Sequence, residues 1–138
     1  MKRLSLVAGL IAASLILAGC PTVASDAYKT VVAAKAFLDD QKAKHGCATI
    51  GDTSVGNMQT GALKSSMVCT ALFKAVAAKD LLVDAGEAYC GGPQFATGGA
   101  CQPPAKGTPA EQQAAAKLAT ALSNYKVTEK DLRGVLGL

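Results

Sequence analysis

The chain has 138 residues, of which 50% are hydrophobic, 4% aromatic and 17% charged, and its net charge is +4. That length makes one domain with a modest core. The charge is low and its signs are interspersed, and with no Trp, three Tyr and three Phe there are few rings for bases or sugars to stack on, which excludes a nucleic-acid surface.

Lys2 and Arg3 precede an apolar run from Leu4 to Ala18, interrupted only by Ser5, Gly9 and Ser14. This is the pattern of a secretory signal, too short for a comfortable transmembrane helix. It ends in Leu17-Ala18-Gly19-Cys20, which resembles the lipobox of bacterial lipoproteins. The resemblance covers the signal segment only. It implies a diacylglycerol thioether on Cys20, cleavage just before that residue, and a further acyl chain, palmitate in type, on the new amino group. Sulfur suits the first step as the strong side-chain nucleophile. At about 0.8 kcal/mol per buried CH2, two or three acyl chains make a lasting anchor. The division expected is a cleaved signal peptide over 1–19, a lipidated tether over 20–24 and a helical domain over 25–138. Pro21 stands where an Asp would hold a Gram-negative lipoprotein on the inner membrane, which points to the outer membrane. The alternative is an ordinary cleaved signal that leaves Cys20 as a thiol or disulfide partner. Removing Lys2 and Arg3 takes the net charge from +4 to +2.

Ser25 or Asp26 can open the first helix of the domain. Ala27, Tyr28, Val31, Ala34 and Leu38 recur at helical spacing. Lys42, Lys44 and His45 suit the end of that helix near Lys44, and Gly46 suits a left-handed cap. Ala48 to about Gly61 reads as a loop, with room for one helical turn near Asn57–Thr60. A second helix is predicted from about Leu63 to Tyr89, with an apolar stripe of Val68, Leu72, Ala75, Val76, Leu82, Val83 and Tyr89. Asp84 and Glu87 oppose the dipole at its end, and Gly91-Gly92-Pro93 stops it. Gly91 to Gly107 is a long Gly- and Pro-rich connection, read as a spacer tied by a disulfide in preference to a binding loop. Thr108-Pro109-Ala110-Glu111 is a capping box with Pro at the first helical position. The third helix carries Ala114, Leu118, Ala121, Leu122 and Tyr125. Thr128-Glu129-Lys130-Asp131 resembles a second start signal, for a short terminal helix to about Leu136.

Five cysteines are present. With Cys20 taken by lipid, Cys47, Cys69, Cys90 and Cys101 remain, and an even number in an exported chain reads as two disulfides. Cys69 and Cys90 stand 21 residues apart on one predicted helix, about 32 Å, beyond the 4.4–6.8 Å between Cα atoms that a disulfide requires. The first helix has about the same length, so in an antiparallel hairpin Cys47 arrives beside Cys69 while Cys90 meets Cys101 at the far end. The expected pairs are Cys47–Cys69 and Cys90–Cys101.

Other constellations carry less. His45-x-Cys47 lacks the paired knuckles of a zinc site. No C-x-x-C or C-x-x-C-H suggests thiol redox chemistry or covalent haem. Asp39 and Asp40 are helical neighbours about 100° apart and form a solvated face, not a proton-sharing pair. Ser54, Ser65 and Ser66 lack the G-x-S-x-G elbow, and Gly91-Gly92 and Gly98-Gly99 fit no phosphate-binding fingerprint.

The fold class expected is all-α, a small antiparallel three-helix bundle with two disulfides. The function expected is that of a lipid-anchored envelope protein, non-enzymatic and without cofactor or metal, on the periplasmic side of the envelope, in a structural or protein-interaction role. Its partners would be the membrane, through Cys20, and an envelope protein. The alternatives are a phage-type envelope lipoprotein, for host lysis or superinfection exclusion, a small-ligand-binding lipoprotein using a groove between the helices and the Gly91–Gly107 segment, and an enzyme with an unrecognised site.

Overall fold

A computed structural model describes residues 19–47 and 60–138. Residues 1–18 of the expected signal peptide and most of the predicted loop, Ala48–Gln59 with its helical turn, lie outside the described residues. The four elements are all helical: α1 (Gly19–His45), α2 (Thr60–Cys90), α3 (Gln94–Thr97) and α4 (Pro109–Leu136). Among the described residues there is no strand, and no helix is long and apolar enough to cross a membrane.

The start of α1 precedes the predicted one at Ser25–Asp26, so the 20–24 tether is helical backbone. Pro21 does not prevent this, because a first-turn proline gives up an N–H that has no partner there anyway. Asp26 is therefore no cap. It makes an exposed 4.0 Å ion pair with Lys126 of α4, which contributes little. The predicted face is buried, with Ala27 and Val31, then Ala34 and Leu38, and Gln41 continuing it. Gly46 takes the left-handed cap at φ 63°. Cys47 N–H donates back to the Lys42 carbonyl at 3.2 Å.

Helix α2 packs most extensively on α4, then on α1. Val68, Leu72, Ala75, Leu82 and Tyr89 are buried along it. Asp84 and Glu87 do not shorten it. It closes on Gly91 at φ 76°, with the Gly92 N–H donating to the Glu87 carbonyl at 2.9 Å, a Schellman closure that satisfies a terminal carbonyl.

The connection expected over Gly91–Gly107 contains α3. It is held by Gly99 N–H to the Gln94 carbonyl at 2.8 Å and Gln102 N–H to the Cys90 carbonyl at 3.1 Å. The Gln94 amide Nε2 donates to that same Cys90 carbonyl at 2.7 Å. The Thr108 hydroxyl caps α4 by accepting the Glu111 N–H at 3.3 Å. The reciprocal half of the box differs from expectation. Glu111 Oε2 accepts from Gly107 N–H at 3.3 Å, one residue beyond the cap, because the Thr108 N–H already donates to the Ala105 carbonyl at 3.2 Å.

No second start occurs at Thr128. Helix α4 is continuous to Leu136. The Thr128 hydroxyl donates to the Asn124 carbonyl at 2.8 Å, four residues back, the use a threonine finds inside a helix. Glu129 pairs with Arg133 at 2.7 Å, and the Arg133 guanidinium lies 4.3 Å from the centre of the Phe37 ring on α1. Leu118, Leu122, Tyr125 and Leu132 form the buried stripe of α4. Burial there outweighs the local start signal.

Cys47 is bonded to Cys69, with Cα atoms 5.6 Å apart and 22 residues between them in sequence. Cys90 is bonded to Cys101, at 4.4 Å and 11 residues. These are the pairs expected from helix length. By loop-closure entropy each contributes about 3 kcal/mol. Such staples matter here because Ala27, Ala34 and Ala75, buried in the core, each remove little surface from water.

The Tyr125 hydroxyl is fully buried without a hydrogen-bond partner. Glu129, one helical turn further along α4, acts on the phenol. Burial first, then the Glu129 charge, push the phenol's pKa well above its ordinary value. The Tyr125→Phe variant removes an unsatisfied group and should be neutral or stabilising by up to about 1 kcal/mol in urea denaturation at pH 7. Because the folded state holds this proton more tightly than the unfolded one, Tyr125 makes stability fall as pH rises above about 10. The alkaline fall should therefore be shallower in Tyr125→Phe, and equal slopes would place the phenol in contact with water.

Candidate functional site

A cleft of about 470 Å³ opens where α1 begins, α2 ends and α4 begins. Its size lies in the range of small-molecule pockets. Helix α1 contributes Ala24, Ser25 and Tyr28, α2 contributes Tyr89 and Cys90, and α4 contributes Glu111. The rest of the wall comes from the segment between α2 and α4, through Phe95, Gly98, Gly99, Cys101, Pro103, Pro104 and Lys106. The segment read as a spacer thus forms one side of the cleft.

The wall is built around Phe95. This ring is buried and lies directly on Gly86 of α2, in the space a Cβ would occupy. A glycine inside a helix costs roughly 0.5–1 kcal/mol relative to alanine, and here it admits the ring. Tyr28 meets Phe95 edge to face, with centroids 6.3 Å apart and planes at 79°, a favoured aromatic geometry. The Tyr28 ring also covers Gly98. That glycine has φ 74°, and a Cβ on it would lie 2.6 Å from the Tyr28 hydroxyl oxygen. The Cys90–Cys101 disulfide ties the far side of the segment back to α2.

The cleft is mainly apolar. Its charged groups are Lys106, exposed, and Glu111, which at 6% exposure is the buried carboxylate among the described residues. Glu111 is held by the Gly107 N–H. Aromatic and proline walls with a few polar groups at one side suit an apolar or amphiphilic ligand.

The other candidate residues are scattered or spent. Among the described residues no group of three or more His, Cys, Asp or Glu could hold a metal ion. Cys47 is in a disulfide, which removes it from the His45-x-Cys47 pattern. Asp40 pairs with Lys44 at 2.7 Å, one turn along the same helix, and Asp39 is exposed. Ser65 and Ser66 fall in the first turns of α2, and Ser54 lies outside the described residues. The cleft lies where the small-ligand alternative expected a groove, between the helices and the Gly91–Gly107 segment, but the residues that shape it were not singled out. Its signals are single residues, Gly86 in mid-helix and Phe95 in a Gly-rich segment, and only together do they indicate packing. No family model, curated protein or solved structure matches the chain.

Adding a methyl group at position 86 forces the Phe95 ring out of its seat. Gly86→Ala should cost about 1–3 kcal/mol in urea denaturation, the usual cost of overpacking, despite the better helix propensity of alanine. In the Phe95→Ala background the same change should be neutral or stabilising, since the obstructed ring is gone. Equal effects in both backgrounds would show that the ring does not occupy that space.

Proposed function

We propose that the chain is a lipid-anchored bacterial envelope protein. Its helical domain is an antiparallel three-helix bundle of α1, α2 and α4, standing close to the membrane and acting there through a structural or protein-interaction role. The carrying observation is the fate of the cysteines. Of the five, four are consumed in two disulfides, and the one left over is Cys20, the lipobox position. That division supports lipid attachment over a disulfide role for Cys20.

The bundle arrangement is supported by contacts at both ends. Cys47, just past α1, joins Cys69 in the early turns of α2. Tyr28 near the start of α1 meets Phe95, which sits on Gly86 near the end of α2. Asp26 faces Lys126, and Phe37 lies under Arg133, so α1 and α4 run the same way beside an α2 that runs against both. The membrane-side position follows from the short 20–24 segment, and the outer membrane from Pro21. A non-enzymatic role rests on the sequence, where no nucleophile elbow, triad or phosphate loop was found.

A second reading is favoured by the cleft beside α1, which gives a lipoprotein of this kind a place to bind a small apolar ligand.

Non-reducing mass spectrometry of the protein taken from its native envelope tests the anchor. The expected chain begins at Cys20, carries a diacylglyceryl group with or without an N-acyl chain, and has the two disulfides intact. Cys20→Ser placed behind an ordinary cleaved secretory signal should leave the membrane fraction and retain its helical circular dichroism. A chain with unmodified Cys20 would overturn the reading.

A further inference from the structure

We propose that the cleft at the start of α1 seats one acyl chain of the lipid carried by Cys20. The inference rests on the anchored reading and adds where part of that lipid goes. Three observations lead to it.

The first is reach. Ala24 is part of the cleft wall, and Cys20 precedes it by four residues. Fully extended, four residues span at most about 14 Å. As helix they rise about 6 Å and bring the two positions onto one stripe. Cys20 therefore stands within about 14 Å of the cleft wall at Ala24. An acyl chain long enough to cross one leaflet of a 30 Å hydrocarbon core is about 15 Å long, enough to enter.

The second is chemistry. The wall includes Tyr28, Tyr89 and Phe95 with Pro103 and Pro104, beside Lys106 and Glu111, so a methylene chain leaves water against its apolar part. Burying a methylene is favourable in either place, so exchange between the two costs little.

The third is tethering. A ligand attached to the chain itself enters at an effective concentration in the millimolar range, well above that of a free fatty acid. One seated chain would leave the remaining chains in the bilayer. The α1 end of the domain would then be held against the surface in one orientation, and that chain would be covered whenever the protein crossed water.

The test uses the full chain matured in a host that acylates lipoproteins, in micelles of deuterated detergent, so that the protein-bound lipid supplies the acyl signals. Mass spectrometry of the same sample first establishes whether Cys20 is modified. If it is, proton NMR should give cross-peaks from acyl methylenes to the rings of Tyr28, Tyr89 and Phe95. In Cys20→Ser those peaks should be lost and the Gly98 and Gly99 amides should shift. A lipidated protein with no such cross-peaks overturns the proposal and leaves the anchor standing. An unmodified Cys20 overturns both, since the chain then has no lipid of its own. Titrating that protein with protonated laurate would then measure only whether the cleft accepts a free acyl chain, the separate small-ligand reading.

Discussion

The contact between the Phe95 ring and the bare backbone of Gly86 governs how one whole end of the molecule is built. A side chain at position 86 would fill the space the ring occupies. With glycine there, the segment after α2 folds back onto the helix it has just left. Phe95 then stands where Tyr28 can meet it edge to face, and α1 is docked to the same point. The backbone of α3 turns through Gly98 at φ 74°, under the Tyr28 ring. The cleft is the space left between that refolded segment and the starts of α1 and α4.

The two disulfides divide the work of holding this small domain. Cys47–Cys69 closes the longer loop and fixes where α1 ends against α2. Cys90–Cys101 closes a short one and holds the segment that carries Phe95. The first acts on the order of the helices, the second on the shape of the cleft. A core rich in alanine lets helices approach closely but gains little from burial per residue. Covalent closure makes up the difference by restricting the unfolded chain. At the end away from the cleft, Arg133 is held by Glu129 and lies on Phe37. That contact draws the last turn of α4 onto α1.

Much of this was legible in the chain, for reasons that differ by residue. The buried stripe of α1 could be read because alanine, valine and leucine repeat at the helical period without interruption. The disulfide pairing could be read because a helix is a ruler, and Cys69 and Cys90 cannot meet along one. Thr108-Pro109-Glu111 could be read because capping is local chemistry. Thr128-Glu129 misled by the same chemistry. The same residue types satisfy a helix interior when Leu132 and Leu136 beyond them have a core to cover, and nothing local reports that core. Ser25 and Asp26 misled about the start of α1 in a related way, since a serine and an acid are tolerated within early turns as well as before them.

The cleft was legible only as a groove a ligand could take between the helices and the Gly91–Gly107 segment; its cause was not, because it is a pair of residues nine apart that belong to different elements. Gly86 alone reads as a weak point in a helix, and Phe95 alone as an isolated ring in a flexible segment. Each is unfavourable by local rules, and together they compensate each other. Local rules broken in complementary ways at two positions mark a place where tertiary contact decided the sequence. Here that place adjoins the residues that lead back to Cys20. A domain fastened only by its end would need no shaped surface there. The cost of the mid-helix glycine at that end is offset by the Phe95 ring it admits and the contact that ring makes with Tyr28.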